Sequence, residues 1–334
     1  DLDMLLGGME ETDMLCIGAR PAVGKSAFAL QLAWNVSRRM KVKFYTFEMN
    51  QKQILDRLLA NQSKIELQHI RKHKDYMNKG EEEAFKVGIN EIFANNNLII
   101  EESAKTVSEI RNECKYIDGL GLIVIDYLQL MKNEPGVRYG SRTEAVGAIS
   151  KALRALALEI HVPIVLLSQL NRAVEARVDK KPALSDLREA GDIEQDCTQV
   201  AFLWRPKEDN EEIRGVYIAK NRQGTLGDCN LLYEGQYMRF SQLDPHYIPY
   251  QTPANFPKDE KPQDSFSTLS NDKNPFDEQI DLQQIAMEQE IDQFERAYSN
   301  VPTDRAKADK YWQEVIEVAD NLQKKYNNNS FVYS

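Results

Sequence analysis

The sequence predicts an α/β fold with a mostly parallel central sheet flanked by helices, antiparallel hairpins at one edge and a helical C-terminal extension. Three observations carry this. Through residue 240 short apolar runs alternate with amphipathic stretches, the rhythm of repeated β-α units. After Trp204 the runs crowd together, as hairpins require. Between the first run and the first helix lies a turn ending in Gly24-Lys25-Ser26, the arrangement of a phosphate loop.

In chain order, buried-type strands are expected at 14–17, 42–46, 98–101, 122–125, 164–167 and 200–204, each a nearly unbroken apolar run. One helix begins near Lys25 and another covers 51–59. Over 143–160, Val146, Ile149, Leu153, Leu156, Ala157 and Ile160 fall on one helical stripe that should cover the sheet. Runs at 216–219, 230–233 and 237–240 form the antiparallel edge. Residues 244–275 follow as a linker or wrapping arm, with six of the twelve prolines between 245 and 275. From 276 to 334 two amphipathic helices are expected, on Ile291/Phe294/Tyr298 and on Trp312/Val315/Ile316/Ala319/Leu322/Tyr326, broken near Val301-Pro302. They either pack on the body of the chain or offer a docking site to a partner.

Composition narrows the class. With 334 residues, 42% hydrophobic and 28% charged, the chain can bury one large core and still carry an appendage. No run of eighteen apolar residues suggests a membrane span, and no signal peptide opens the sequence. Four cysteines without a CxxC pair suggest neither a disulfide framework nor a cysteine zinc site, so the cytoplasm is the expected location. The net charge is −10, but residues 251–334 hold 9 basic against 16 acidic residues, so the body is nearly neutral. Such a body can still carry a locally basic groove for nucleic acid.

The loop Gly18-Ala19-Arg20-Pro21-Ala22-Val23-Gly24-Lys25-Ser26 carries the strongest chemistry. Successive backbone N–H groups of such a loop hold phosphate oxygens, a helix N-terminus adds positive charge, Lys25 reaches the β/γ-phosphates and Ser26 supplies a magnesium ligand. Ala19 stands where the strict pattern has glycine. The run 122–125 ends in Asp126, where an acid can orient magnesium or solvate a strand end. Glu48, after the second run, either polarises a water in line with the γ-phosphate or caps the next helix. His69 and His73, four residues apart, lack a third zinc ligand.

Residues 1–243 resemble the RecA-type motor domain of the DnaB-type replicative hexameric helicases. The likeness rests on the phosphate loop, Phe47-Glu48-Met49, Ile125-Asp126-Tyr127-Leu128-Gln129-Leu130-Met131, Ser168-Gln169-Leu170-Asn171-Arg172, the stretch from Ser185 to Asp196, and Ala219-Lys220-Asn221-Arg222-Gln223-Gly224. The alanine heading the phosphate loop is usual in that family. The resemblance implies a RecA-like P-loop NTPase binding ATP and Mg2+ through Ala19, Arg20, Pro21, Ala22, Val23, Gly24, Lys25 and Ser26. Asp126 holds the metal through its water shell, Glu48 polarises the attacking water and Gln169 senses the γ-phosphate. Lys220 and Arg222 reach a neighbouring subunit's nucleotide, and Arg188, Glu189 and Gly191 grip single-stranded DNA. It also implies a homo-hexamer and contacts with a helicase loader or primase, and no membrane role. Family members carry an N-terminal helical domain that this sequence lacks, so a truncated or proteolysed piece with a weakened hexamer is expected. Residues beyond the last hairpin are not explained by the resemblance. The leading function is duplex unwinding driven by ATP; a RecA-like ATPase with an assembly or regulatory role is the alternative.

Overall fold

The computed structural model describes residues 2–72, 77–177, 179–187, 191–206, 210–244 and 247. The arm expected over 244–275, apart from Asp244 and Tyr247, and the helices expected over 276–334 lie outside the described residues, as does His73.

Among the described residues the strands are β1 (Met14–Ala19), β2 (Lys41–Thr46), β3 (Leu98–Glu101), β4 (Leu120–Asp126), β5 (Ile164–Gln169), β6 (Gln199–Trp204), β7 (Ile213–Asn221), β8 (Gly227–Glu234) and β9 (Arg239–Gln242). The helices are α1 (Leu2–Leu6), α2 (Lys25–Ser37), α3 (Gln51–Ser63), α4 (Leu67–Lys72), α5 (Lys79–Ala94), α6 (Val107–Cys114), α7 (Arg142–Ile160) and α8 (Gly191–Asp196). They build one sheet in the order β3-β2-β4-β5-β1-β6-β7-β8-β9. The first six strands of that order run parallel and the last three add on antiparallel. The predicted class is therefore the observed one, and no described helix is long and apolar enough to cross a membrane.

Both faces are covered, which is why the central strands read as continuous apolar runs. On one face Phe28, Leu30 and Trp34 of α2 pack with Ile54 and Leu58 of α3 over Ile17, Phe44 and Val124. On the other, the α7 stripe Val146, Ile149, Leu153 and Leu156 joins Ile110 of α6 over Cys16, Ile123 and Leu166. Several strands outrun their apolar cores: β4 reaches Asp126, β5 reaches Gln169 and β7 extends from Ile213 to Asn221. Polar strand ends still pair in the ladder, and apolarity alone does not reveal them. The run expected at 237–240 is divided. Gly235–Tyr237 forms a 3-10 turn and Met238 takes φ 51°, so β9 starts only at Arg239.

The antiparallel strands are bound to the helical layer. Gln31 of α2 donates to the Phe240 carbonyl at 2.7 Å and accepts from its N–H at 2.8 Å, while Asn61 of α3 donates to the Met238 carbonyl at 3.0 Å. Phe240 also meets Phe28 edge-on, with centroids 5.1 Å apart.

Candidate functional site

The parallel register brings four strand ends to one edge of the sheet. Ala19 pairs with Gln169 and Thr46 with Asp126. At that edge the phosphate loop leaves β1 and enters α2. Helices α3, α5 and α6 each open on a side-chain capping box, from Asn50, Asn78 and Thr106. Helix α2 opens on Gly24 with no side-chain cap. Its first N–H groups are therefore left for a ligand, and an anion suits them best. The loop backbone is bent for this purpose: Ala22 has φ 62° and Gly24 φ 108°. A Cβ on Gly24 would combine that left-handed strain with approaches of 3.0 Å to Phe240 and 3.3 Å to Tyr233.

Lys25 and Asp126 face each other within the cradle, Nζ to Oδ1 at 3.9 Å, with Asp126 fully buried. Burial pushes the Asp126 carboxyl up from its usual range, against the pull of Lys25 and the nearby Ser26 hydroxyl. Burial likewise pushes the Lys25 ammonium down, opposed by Asp126 and Glu48. The Lys25 ammonium also sits over the Tyr127 ring at 4.4 Å from its centroid. Neither carboxylate oxygen of Asp126 has a hydrogen-bond partner. A buried acid with both oxygens unsatisfied beside a serine hydroxyl fits a hydrated divalent cation. Among the described residues no group of three or more His, Cys, Asp or Glu side chains is placed to hold a metal by itself, so Ser26 and Asp126 would share it with phosphate oxygens.

Glu48 lies exposed two residues beyond β2 and acts electrostatically on both Lys25 and Asp126. The capping alternative for Glu48 is overturned. Asn50 caps α3, accepting from the Gln53 N–H at 2.9 Å while Gln53 returns a bond to the Asn50 N–H. Arg20 turns away from the cradle, donating to the Leu170 carbonyl at 2.8 Å and pairing with Glu175 at 2.8 Å, so its role at the loop is to hold it against the end of β5. Gln169 is partly exposed beside Ala19. Next to it Ser168 accepts from the amide of Gln129 at 3.1 Å.

Lys220 and Arg222 are elsewhere. The Arg222 N–H donates to the Thr198 carbonyl and the Thr198 N–H to the Met14 carbonyl, fixing Arg222 near the start of β1. Five residues separate Met14 from Ala19, about 16 Å along a strand. Lys220 donates to the Glu194 carbonyl and Arg222 to the Gln195 carbonyl at 3.0 Å, both at the C-terminal end of α8. Gly191 starts α8, whereas Arg188 and Glu189 lie outside the described residues.

Three arginines of the site escaped the sequence reading. Arg57 projects from α3 with its Nε buried and unpaired, and burial lowers its pKa while Asp126 and Glu48 pull it up. Its signal was a lone cation on the stripe 54-57-58-61, otherwise buried. Arg205 donates to the Ala22 carbonyl at 3.1 Å and Arg214 to the Val23 carbonyl at 2.8 Å. No local pattern points to either. His69 bonds Glu81 at 2.9 Å across α4 and α5, which occupies the nitrogen a metal would need.

Residues 1–242 match the family model described as the DnaB-like helicase C terminal domain. The chain is 37% identical over 264 residues to the replicative DNA helicase DnaB of Geobacillus stearothermophilus, covering 76% of this chain and 57% of that protein. It is 37% identical over 256 residues to the replicative DNA helicase DnaC of Bacillus subtilis (strain 168), covering 73% and 55%. Among solved structures, an isolated ATPase domain aligns with TM-score 0.67 and 35% identity over 73% of this chain and 89% of that one. A DnaB-like replicative helicase, solved in a study of its interactions with primase, aligns with TM-score 0.67 and 34% identity over 73% and 60%. The chain thus spans a little over half the length of the curated relatives it matches. It belongs to the DnaB-like helicase C-terminal domain family.

Proposed function

We propose that this chain is the ATP-driven motor of a replicative DNA helicase, hydrolysing ATP at boundaries between like subunits while moving along single-stranded DNA and parting the duplex. The observation that carries the reading is the uncapped α2 N-terminus facing the buried Lys25–Asp126 pair, with Asp126 unsatisfied at both oxygens. That cradle is built for a polyphosphate and its cation. Loop N–H groups and Lys25 take the phosphates, and Gly24 lets the backbone come close. Ser26 and Asp126 would hold Mg2+, which when bound neutralises phosphate charge and supports the leaving group. Glu48 orients the attacking water and accepts its proton. Gln169 bonds the γ-phosphate and registers its loss.

Lys220 and Arg222 complete the site of a neighbouring subunit, a role that suits their position far from their own phosphate loop. Arg188, Glu189 and Gly191 hold the DNA backbone just before α8. A homo-hexameric ring in the cytoplasm follows from this division of labour, with primase or a loader as docking partner. The test is to measure ATP hydrolysis with and without single-stranded DNA beside duplex unwinding, for wild type and Lys25→Ala. Stimulated hydrolysis with unwinding, both lost in Lys25→Ala, is the expected result. Hydrolysis that Lys25→Ala retains would remove the site; hydrolysis without unwinding by the full assembly would leave an ATPase of regulatory role.

A further inference from the structure

Arg214 stands near the start of β7, is 2% exposed and lies outside every role the family resemblance implies. Its Nε donates to the Val23 carbonyl at 2.8 Å. From the same guanidinium one terminal nitrogen donates to the carbonyls of Glu211 and Ile213, at 2.5 Å and 3.1 Å. The plane rests over the Tyr233 ring, 4.9 Å from its centroid. Burial lowers the Arg214 pKa, with the neighbouring Arg205 adding to the effect. A buried guanidinium that spends its donors on main-chain carbonyls is fixing backbone.

The backbone it fixes is the crown of the phosphate loop. A peptide unit is planar and trans, so its C=O and N–H point in opposite directions. Holding the Val23 carbonyl outward, against β7, therefore directs the Gly24 N–H inward to where phosphate oxygens would sit. One residue earlier Arg205 holds the Ala22 carbonyl in the same way, and so orients the Val23 peptide. Ala22 at φ 62° and Gly24 at φ 108° flank that peptide, and neither conformation is self-maintaining in a nucleotide-free loop. The Gly24 carbonyl is already committed to the Phe28 N–H at 2.9 Å, which ties the other side of the turn to α2.

We propose that Arg214 is a positioning residue for nucleotide binding: it presets the Val23–Gly24 peptide so that the loop's N–H groups converge before the phosphates arrive. The proposal rests on the reading of this loop as a nucleotide site. It also gives the antiparallel strands a task beyond widening the sheet. Their first residues brace the chain's own phosphate loop, and their far ends carry Lys220 and Arg222.

The test uses the full chain with Arg214→Lys and Arg214→Met, measuring ADP affinity by calorimetry and thermal unfolding without nucleotide. Lysine can reach one carbonyl but cannot serve three with a fork, so ADP affinity should fall about threefold in Arg214→Lys and about tenfold or more in Arg214→Met. A structural brace alone would lower the unfolding temperature and leave ADP affinity unchanged. Wild-type affinity in a folded Arg214→Lys overturns the proposal, and Arg214→Lys decides the matter should Arg214→Met not fold. Wild-type protein that binds no ADP would instead overturn the reading of the site.

Discussion

Arg57 illustrates how a functional group announces itself by costing stability. Its Nε is buried without a partner while its charge lies within reach of Asp126 and Glu48. An unsatisfied buried donor is unfavourable, so the fold gains nothing from it until a ligand supplies the acceptor. Arg57→Met keeps most of the apolar stem and removes the charge. Hydrolysis should fall by ~10²-fold if the guanidinium meets charge that develops on the transferred phosphate. The nucleotide-free unfolding temperature should stay level or rise. Activity assays beside calorimetry separate this from a structural arginine, whose loss would lower the unfolding temperature and spare turnover. Residue identity made Lys25, Ser26 and Asp126 legible in the sequence, because their chemistry follows from one short loop and one strand end. Arg57, Arg205 and Arg214 were hidden, because each reaches the loop only through tertiary contact: from α3, from the end of β6 and from β7.

At the scale of elements, the sequence registers burial better than it registers ends. The α7 stripe and the six parallel strands were readable from apolar spacing, since both faces of the sheet are covered. The nine-residue β7 was readable only at its centre, since Arg214, Lys220 and Asn221 interrupt the apolar pattern at the two places where the strand has work to do. Helix starts can be tested more directly. At α5 the Asn78 N–H and the His69 ring hold the Glu81 carboxyl below its ordinary range. A carboxylate with a lowered folded-state pKa adds stability that is present above the unfolded value and lost as pH falls through the folded one. Glu81→Gln keeps the capping geometry but cannot ionise. The variant should be less stable than wild type by about 0.5 kcal/mol at neutral pH. The gap should close as pH falls below the usual glutamate range, which denaturant titrations at a series of pH values would follow. A gap that stays constant with pH would mean that the charge contributes nothing there.

The whole molecule is organised so that one chain cannot assemble a complete site. Lys25, Glu48, Asp126 and Gln169 belong to the edge where β1, β2, β4 and β5 end, while the Arg222 backbone is anchored beside Met14 at the other end of β1. Within its own chain the Arg222 guanidinium is engaged with the Gln195 carbonyl of α8, and Lys220 with that of Glu194. If both side chains leave those carbonyls to reach a neighbour's phosphates, hydrolysis belongs to the boundary between subunits. Arg222→Ala should then keep nucleotide affinity while hydrolysis drops by ~10³-fold or more, as for other arginines that meet transition-state charge. Turnover of wild type should rise more steeply than linearly with protein concentration until boundaries are saturated. Mixed assemblies give the decisive measurement. An Arg222→Ala subunit retains Glu48 and a Glu48→Gln subunit retains Arg222, so in an equal mixture roughly one boundary in four pairs an intact acid with an intact finger. Activity should return in the mixture although each variant alone is inactive, and the fraction recovered reports whether boundaries fire independently. Full activity of Arg222→Ala alone, with turnover strictly proportional to concentration, would place the whole reaction within one chain and remove the finger from the mechanism.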